Sequence, residues 1–261
     1  MLPELFRIGP VSVHSYGLAL DIAFLLGAFL ALRQMKKRGM DSSKFIDVLL
    51  FIIVGALVGS RIVFCALEYG YYLAHPLQIL RLDLGGLSFH GGVAGGALAG
   101  WFGVRRARLK FWPVADIITP SLALGYSIVR IGCFLNGCCY GVPTSVPWAV
   151  NFYDVPRHPT QIYDSALSLV VYGALVLAGR RPPFPGFVWW LFVGLYSVQR
   201  FVVEFWREGV HIAGWLTVGQ AASIVLAVVA SLAAWAGYRR AARDARAARA
   251  DAGAGDGPAA P

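Results

Sequence analysis

Long apolar runs separated by short basic segments make up most of this chain. Seven runs approach or exceed the roughly 20 residues that a helix needs to cross a bilayer. They cover 15–32, 46–66, 88–104, 113–130, 160–178, 186–205 and 215–237. Composition points the same way, since 57% of residues are hydrophobic and 14% are charged, against about 25% charged in soluble domains. The pattern predicts an all-α integral membrane protein with about seven transmembrane helices.

Positive charge is confined largely to the segments between these runs. Four clusters, at 33–44, 105–110, 180–181 and 239–249, hold 16 of the 23 lysines and arginines. Cytoplasmic loops carry such an excess, and seven spans put all four clusters on one side. We therefore predict an N-out, C-in topology. The net charge of +9 then reflects the orientation of the chain among membrane lipids, and we expect no nucleic-acid partner.

The same pattern divides the chain into two parts. Residues 1–238 are predicted to form one transmembrane domain with a small periplasmic head segment. Residues 239–261 are rich in Ala, Arg, Asp, Gly and Pro. They are predicted to form a basic helical end and a disordered stub on the cytoplasmic side, and we expect no function in the stub.

Residues 129–141, VRIGCFLNGCCYG, place one arginine, one amide, three thiols and three glycines at the end of an apolar run. A charge at membrane depth is costly, so it usually marks a functional site. Arg130, with Asn136 close behind it, indicates an anion pocket, because a guanidinium forms bidentate bonds to phosphate. The alternative is an arginine that reaches to the membrane interface.

A second candidate group lies on the predicted sixth span. Tyr196, Arg200, Glu204 and Arg207 have spacings that place them on one face of a helix. One glutamate neutralises only one of the two arginines, and an unpaired arginine at mid-membrane costs roughly 3 kcal/mol. The face is therefore predicted to bind an anion.

His90 stands in GGLSFHGGVAGG, with glycines on both sides. Two interpretations stay open from the residues alone. His90 is a general base or hydrogen-bond donor at the membrane edge, or it is a packed residue where small neighbours let two helices approach closely.

Four cysteines complete the candidate chemistry. Cys133, Cys138 and Cys139 fall in one turn and could form a disulfide in an oxidising compartment. Their spacing offers no second pair of zinc ligands, so no metal site is predicted. Cys65 is predicted to be a small packing residue.

The order and spacing of several short motifs resemble those of the bacterial prolipoprotein diacylglyceryl transferases. The resemblance runs from about Tyr16 to Ile224. The motifs are, in order, HSYGLAL, GSRIVF, GGLSFHGG, DIITP, RHPTQIYD, RFVVEFWRE and LTVGQAASI.

The segment 129–141 matches the family signature only in part. That signature reads Gly-Arg-x-Gly-Asn-Phe-x-Asn-Gly-Glu-x-x-Gly. The matching positions are Arg130, Gly132, Phe134, Asn136, Gly137 and Gly141. Val129 replaces the first glycine, Cys133 replaces an asparagine, and Cys138 replaces the glutamate.

The resemblance implies transfer of an sn-1,2-diacylglyceryl group from phosphatidylglycerol to the lipobox cysteine of a preprolipoprotein signal peptide, with release of glycerol 1-phosphate. It implies no soluble cofactor, and a location in the bacterial inner membrane with the site toward the periplasmic leaflet. His90, Arg130 and Arg200 are the implied catalytic residues. The implied substrate-binding residues are Tyr16, Arg130, Asn136, Gly141, Tyr196, Glu204 and Arg207.

Three other functions stay open at this stage. A membrane thiol–disulfide oxidoreductase would use Cys133 with Cys138 or Cys139, although only Cys65 is left for a relay. A transporter of anionic solutes would use the arginines, although the chain has no convincing internal repeat. A diverged member of the same family would have altered activity, because of the changes at Cys133 and Cys138.

Overall fold

The computed structural model describes residues 2–9, 11–80 and 86–254. The chain is mostly helical, as predicted. Its helices are α1 (Ser15–Lys37), α2 (Ser42–Leu67), α3 (Tyr69–Ala74), α4 (Phe89–Arg106), α5 (Phe111–Asn136), α6 (Thr160–Ala178), α7 (Phe187–Val203) and α8 (Val218–Ala254). Two short 3-10 helices cover Pro76–Leu80 and Glu204–Trp206.

The prediction of an all-α chain missed three small antiparallel hairpins in the described segments. They pair β1 (Glu4–Ile8) with β2 (Val11–His14), β3 (Val150–Phe152) with β4 (Val155–Arg157), and β5 (His211–Ala213) with β6 (Leu216–Thr217). Their strands have two to five residues, so none has the length at which alternation of polar and apolar residues becomes a clear signal.

Five described helices are long and apolar enough to cross a membrane: α1, α2, α5, α6 and the Val218–Ala248 part of α8. The other two predicted spans, 88–104 and 186–205, coincide with α4 and α7. Helix α7 has 17 residues, or about 26 Å at 1.5 Å per residue. Helix α4 contains six glycines and ends in two arginines, Arg105 and Arg106, which reduces its apolar character.

The surface of the helices is apolar and much of the interior is polar. Leu25, Ile62 and Leu98 are each more than 60% exposed, whereas Gln161 and Asp164 are fully buried. A protein in water shows the opposite distribution. The chain is therefore built for a surrounding of lipid.

The chain divides into two compact units, Leu32–Val114 and Met1–Ala31 with Ala115–Pro261. In the first unit, α2 and α4 pack with their backbones almost in contact. A Cβ atom on Gly59 would lie 2.5 Å from the carbonyl oxygen of Gly91 and 2.8 Å from Cα of Gly95. The close helix packing predicted from the glycines around His90 is confirmed, because only glycine leaves room for this approach.

Arg61, also in the first unit, has a structural role. Its guanidinium donates to the carbonyl oxygens of Gln78, Ile79 and Gly86 at 2.6, 2.9 and 3.0 Å. It also lies 5.2 Å from the ring centroid of Tyr72. One buried charge on α2 therefore holds the backbone at Gln78, Ile79 and Gly86.

In the second unit, α5, α6 and α7 pack around Ala123, Val171, Leu175 and Val188. Asp116 on α5 accepts hydrogen bonds from the backbone N–H groups of Gly186 and Trp189 at 2.7 and 3.1 Å. It thus caps the start of α7 rather than its own helix.

Helix α8 continues through the predicted domain boundary at 238/239 and ends at Ala254. The predicted basic helical end is therefore part of one helix with the last span. The disordered stub predicted beyond it lies, from residue 255 onward, outside the described residues.

The glycine contact between α2 and α4 can be tested by adding one methyl group. In Gly95→Ala the new Cβ would lie 2.9 Å from Cα of Gly59 and still closer to the backbone of Gly55. We expect a loss of about 1–3 kcal/mol of stability, the usual cost of overpacking, seen as a lower unfolding midpoint in detergent. Gly70→Ala is the control, because its Cβ has nothing within 4 Å. An unchanged midpoint in Gly95→Ala would contradict the close packing.

Candidate active site

The candidate residues of the second unit meet at one end of its helices. Arg130 and Arg200 lie near the C-terminal ends of α5 and α7. Tyr16 and Asp164 lie near the N-terminal ends of α1 and α6. The start of α1 packs on the end of α5, where a Cβ on Gly132 would lie 2.5 Å from Cβ of Ala19 and 3.4 Å from Cα of Tyr16.

Arg130 is held by a buried carboxylate. Its Nε lies 3.1 Å from Oδ2 of Asp164, whose side chain has no exposure, although the Nε–H does not point along this line as a hydrogen bond would. Its Nη2 donates to the hydroxyl of Tyr126, which in turn lies 3.3 Å from the same carboxylate oxygen.

Gln199 anchors that carboxylate from α7. Its Nε2 donates to the Oδ1 and the backbone oxygen of Asp164 at 3.3 and 3.1 Å, and lies 2.8 Å from Oγ of Ser168. Gln199 immediately precedes Arg200 on α7. Asp164 therefore contacts both Arg130 and the neighbour of Arg200, and this links the two catalytic candidates.

Arg200, Glu204 and Arg207 form a second charged group, although they do not share one helix as predicted, because α7 ends at Val203 and Arg207 follows the short 3-10 helix in an extended conformation. Glu204 is 4% exposed; its Oε2 lies 2.7 Å from Nη2 of Arg200 and 3.9 Å from Nε of Arg207. The hydroxyl of Thr217 donates to Oε1 of Glu204 at 3.0 Å. Nη1 of Arg200 is buried, and within the described part of the chain it has no hydrogen-bond partner. The group has a net charge of +1.

The N-terminus of α8 holds this carboxylate in position. Thr217 and Gln220 form a reciprocal capping box: the Thr217 N–H donates to Oε1 of Gln220, and the Gln220 N–H donates to Oγ1 of Thr217, both at 3.1 Å. A Cβ on Gly219 would lie 2.5 Å from Oε1 of Glu204. The motif LTVGQ therefore describes a helix start that fits against Glu204.

The turn after α5 is fixed by side chains from two other elements. Nε2 of Gln161 donates to the carbonyl oxygen of Cys138 at 2.7 Å. The carbonyl oxygen of Cys139 accepts from Oγ1 of Thr160 at 2.9 Å and from Nη1 of Arg207 at 3.3 Å. Arg207 thus connects the turn to Glu204.

Gly141 closes the same turn by packing. Its N–H donates to the carbonyl oxygen of His158 at 2.9 Å, and its carbonyl oxygen accepts from Nη1 of Arg157 at 3.2 Å. A Cβ there would lie 2.7 Å from Cγ2 of Thr160 and closer still to the backbone of Trp206. Both backbone groups of Gly141 are engaged within the protein, so its observed role is structural, and its predicted substrate contact stays a prediction.

Three thiols face one another in this turn. The Sγ atoms of Cys133, Cys138 and Cys139 all lie within 4.8 Å of one another, and all three cysteines are free. Asn136 donates a side-chain hydrogen bond to Cys138, whose pKa is raised above its usual value mainly by burial. The pKa of Cys139 is lowered to about 5, first because the Cys133 thiol donates to it and then because Arg130 and Arg207 favour the thiolate.

Tyr196 and Tyr16 lie beside these groups. The ring of Tyr196 meets that of Tyr126 edge to face, with centroids 5.4 Å apart. Tyr16 is half-buried and close enough to the three thiols and Arg130 to interact with them electrostatically. His90 belongs to the other unit, where it is exposed in the first turn of α4.

Sequence reasoning missed Asp164, Gln161 and Gln199 as functional residues. The first two stand in RHPTQIYD, which contributed to the resemblance without any assigned role. The available signal was an aspartate within the apolar run 160–178, because a carboxylate in such a run needs a partner of opposite charge. Gln199 gave a weaker signal, since a polar residue on a 17-residue helix is not unusual.

This chain is similar to known proteins over most of its length. The family model described as "Prolipoprotein diacylglyceryl transferase" matches residues 3–236. The chain belongs to that family. A phosphatidylglycerol–prolipoprotein diacylglyceryl transferase of Geobacter sulfurreducens is 37% identical over 79% of this chain and 82% of its own length. Proteins with the same name from Brucella anthropi and Brucella canis are 33% identical over 93% of this chain and 94% of theirs.

The contact between Gly219 and Glu204 gives a stability prediction. Gly219→Ala should destabilise the protein by about 1–3 kcal/mol through overpacking. Gly173→Ala in α6 should stabilise it by up to about 1 kcal/mol, because its Cβ has nothing within 4 Å. Unfolding midpoints in detergent measure both changes.

A double-mutant cycle identifies the displaced group. If the methyl group acts on Glu204, Gly219→Ala should cost much less in a Glu204→Ala background. An equal cost in both backgrounds would mean that Glu204 is not the group displaced.

Proposed function

We propose that this chain transfers the sn-1,2-diacylglyceryl group of phosphatidylglycerol to the cysteine thiol of a prolipoprotein. Membership of the transferase family and the names of its relatives support the reaction and both substrates. The same membership favours a transferase over the oxidoreductase and transporter alternatives. Recognition of a lipobox cysteine in the signal peptide is part of the proposal.

The reaction needs a site for a departing phosphate. The substrate sulfur forms a bond to a glycerol carbon, the bond from that carbon to the phosphate oxygen breaks, and glycerol 1-phosphate leaves with the electron pair. Negative charge grows on the phosphate oxygens, so fixed guanidinium groups nearby stabilise the transition state. No cofactor is required for this displacement.

The observation that carries the proposal is the state of Arg200. Glu204 binds its Nη2 at 2.7 Å, whereas its buried Nη1 has no hydrogen-bond partner among the residues that the structure describes. A buried, unpaired N–H donor on a cation is costly unless a ligand completes it. A phosphate oxygen suits this donor. Arg130, held by Asp164 at 3.1 Å, is proposed as the second catalytic cation.

The other candidates take supporting roles in this proposal. Tyr16, Asn136 and Tyr196 contact the lipid headgroup, and Glu204 and Arg207 position Arg200 and the turn at Cys139. Gly141 supports the turn and contributes to the substrate site. His90 is the proposed base that takes the proton of the attacking thiol.

The proposed location is the bacterial inner membrane, with seven spans, an N-out, C-in topology and the site in the periplasmic leaflet. Residues 1–238 are the proposed catalytic domain, and 239–261 the cytoplasmic tail. The distribution of Lys and Arg supports this orientation. The exposed apolar side chains of five long helices support insertion in a bilayer.

Accessibility of two engineered cysteines tests the orientation. Ser145 lies in the segment between α5 and α6, and Arg243 lies on α8; both are exposed. A membrane-impermeant maleimide should label Ser145→Cys in intact cells, and Arg243→Cys only after the inner membrane is permeabilised, as read by peptide mapping. The reverse pattern would contradict the topology.

Activity of arginine variants tests the catalytic roles. In an assay with phosphatidylglycerol vesicles and a lipobox peptide, Arg130→Ala and Arg200→Ala should each lose about 10²–10³-fold in turnover. Arg200→Lys should also fall short, because lysine lacks the planar fork. Arg243→Ala, at an exposed position on α8, is the control and should keep full activity.

Two outcomes would overturn these assignments. A well-folded wild-type protein that forms no thioether product would refute the proposed reaction and indicate a diverged family member. Full activity in Arg130→Ala or Arg200→Ala would refute the role given to that arginine.

A further inference from the structure

The three clustered thiols have no part in the proposed transfer, because the reacting sulfur belongs to the substrate. Cys133 lies in the last turn of α5, and Cys138 and Cys139 follow directly after Gly137. The chain reverses here through two residues with positive φ, 73° at Gly137 and 65° at Cys139. A left-handed conformation is unfavourable for cysteine, so the neighbours that enforce it matter.

Those neighbours build a rigid frame around the thiols. The Cys138 N–H donates to the carbonyl oxygen of Cys133 at 3.1 Å. The carbonyl oxygens of Cys138 and Cys139 are bound by Gln161, Thr160 and Arg207. These hydrogen bonds fix the backbone of the turn through its carbonyl oxygens. The three side chains converge, and their sulfur atoms lie within 4.8 Å of one another.

This spacing is close to that of thiolates around a single ion. With a metal–sulfur distance of about 2.3 Å, three sulfurs in tetrahedral or trigonal geometry are about 3.8–4.0 Å apart. Side-chain rotations that bring each pair closer by at most about 1 Å are therefore enough. The frame positions the ligands before binding, which lowers the entropy cost of assembling them.

The three sulfur ligands determine which kind of metal ion the site would prefer. Three sulfur ligands favour soft ions such as Cu⁺ and Zn²⁺, and disfavour Mg²⁺ and Ca²⁺, which take oxygen ligands. Three thiolates carry three negative charges, and the guanidinium groups of Arg130 and Arg207 act on this cluster. Their positive charges offset part of that negative charge.

We propose that Cys133, Cys138 and Cys139 form a three-sulfur binding site for a soft d10 metal ion, Cu⁺ or Zn²⁺. The sequence offers no second pair of ligands at the spacing typical of zinc sites. The proposed site therefore depends on the way the turn folds and brings the three sulfurs together. The proposal goes beyond the transfer reaction and does not depend on it. Because the ion would bind the turn that Arg207 and Gln161 hold, it would stiffen one wall of the candidate active site.

Metal titration of the full-length chain tests this site. The protein is purified in detergent, reduced, treated with chelator and titrated with Zn²⁺, and separately with Cu⁺ under reductant. We expect one ion of at least one kind per chain, with about three sulfur neighbours at about 2.3 Å in X-ray absorption. In the folded protein, bound metal should protect Cys133, Cys138 and Cys139 from alkylation. Cys65 should be alkylated to the same extent with and without metal once the protein is unfolded.

Variants locate the ligands. Cys133→Ser, Cys138→Ser and Cys139→Ser should each weaken binding about 100-fold or more, since each ligand contributes a large share of the binding free energy. Cys65→Ser is the matched control and should leave the affinity unchanged.

Three results would overturn the proposal. They are failure of the wild-type chain to bind either ion, unchanged affinity in the triple serine variant, and a mapped disulfide within the cluster in protein isolated from cells without reductant. The absorption measurement uses the wild-type chain, so the test does not depend on the folding of any variant.

Discussion

Two buried carboxylates, Asp164 and Glu204, are the constraint on which the candidate site depends. An unpaired arginine in the membrane interior costs roughly 3 kcal/mol, and each carboxylate removes much of that cost for one arginine. Each also binds its arginine through only part of the guanidinium, at 3.1 Å for Arg130 and 2.7 Å for Arg200. The site therefore keeps its cations in a lipid-exposed bundle without using all of their donors.

Most of the surrounding polar structure serves to position these two carboxylates. Gln199 binds Asp164 from α7, and Thr217 binds Glu204 from the capping box at the start of α8. Gly219 leaves the space that Glu204 occupies. Thr217 and Gly219, which stand in a family motif, thus support a buried charge, a role separate from the substrate contacts proposed for other motif residues. Mutational data on the motifs have to separate the two.

Patterns along the chain predicted the features that depend on residues close together in the sequence. The apolar runs predicted the helices, and the spacing of Arg200, Glu204 and Arg207 predicted that they lie close together. Their ion pairs confirm the closeness, although only Arg200 lies on α7. The hairpins were missed because their strands are short. The pairing of Arg130 with Asp164 was missed because the two residues are 34 positions apart and on different helices. Such a contact depends on how helices pack, which hydropathy does not encode.

The cysteines mark the place where this chain departs from the family signature. The signature has a glutamate at the position of Cys138. Burial keeps the Cys138 thiol neutral by raising its pKa. At the next residue, a hydrogen bond from Cys133 and then the positive charges of Arg130 and Arg207 lower the pKa of the Cys139 thiol, which favours its thiolate. The most acidic thiol of the turn therefore lies one residue beyond the position of the glutamate in the signature. The two arginines act on a group that can carry negative charge, but that group is a thiol and not the carboxylate of the signature.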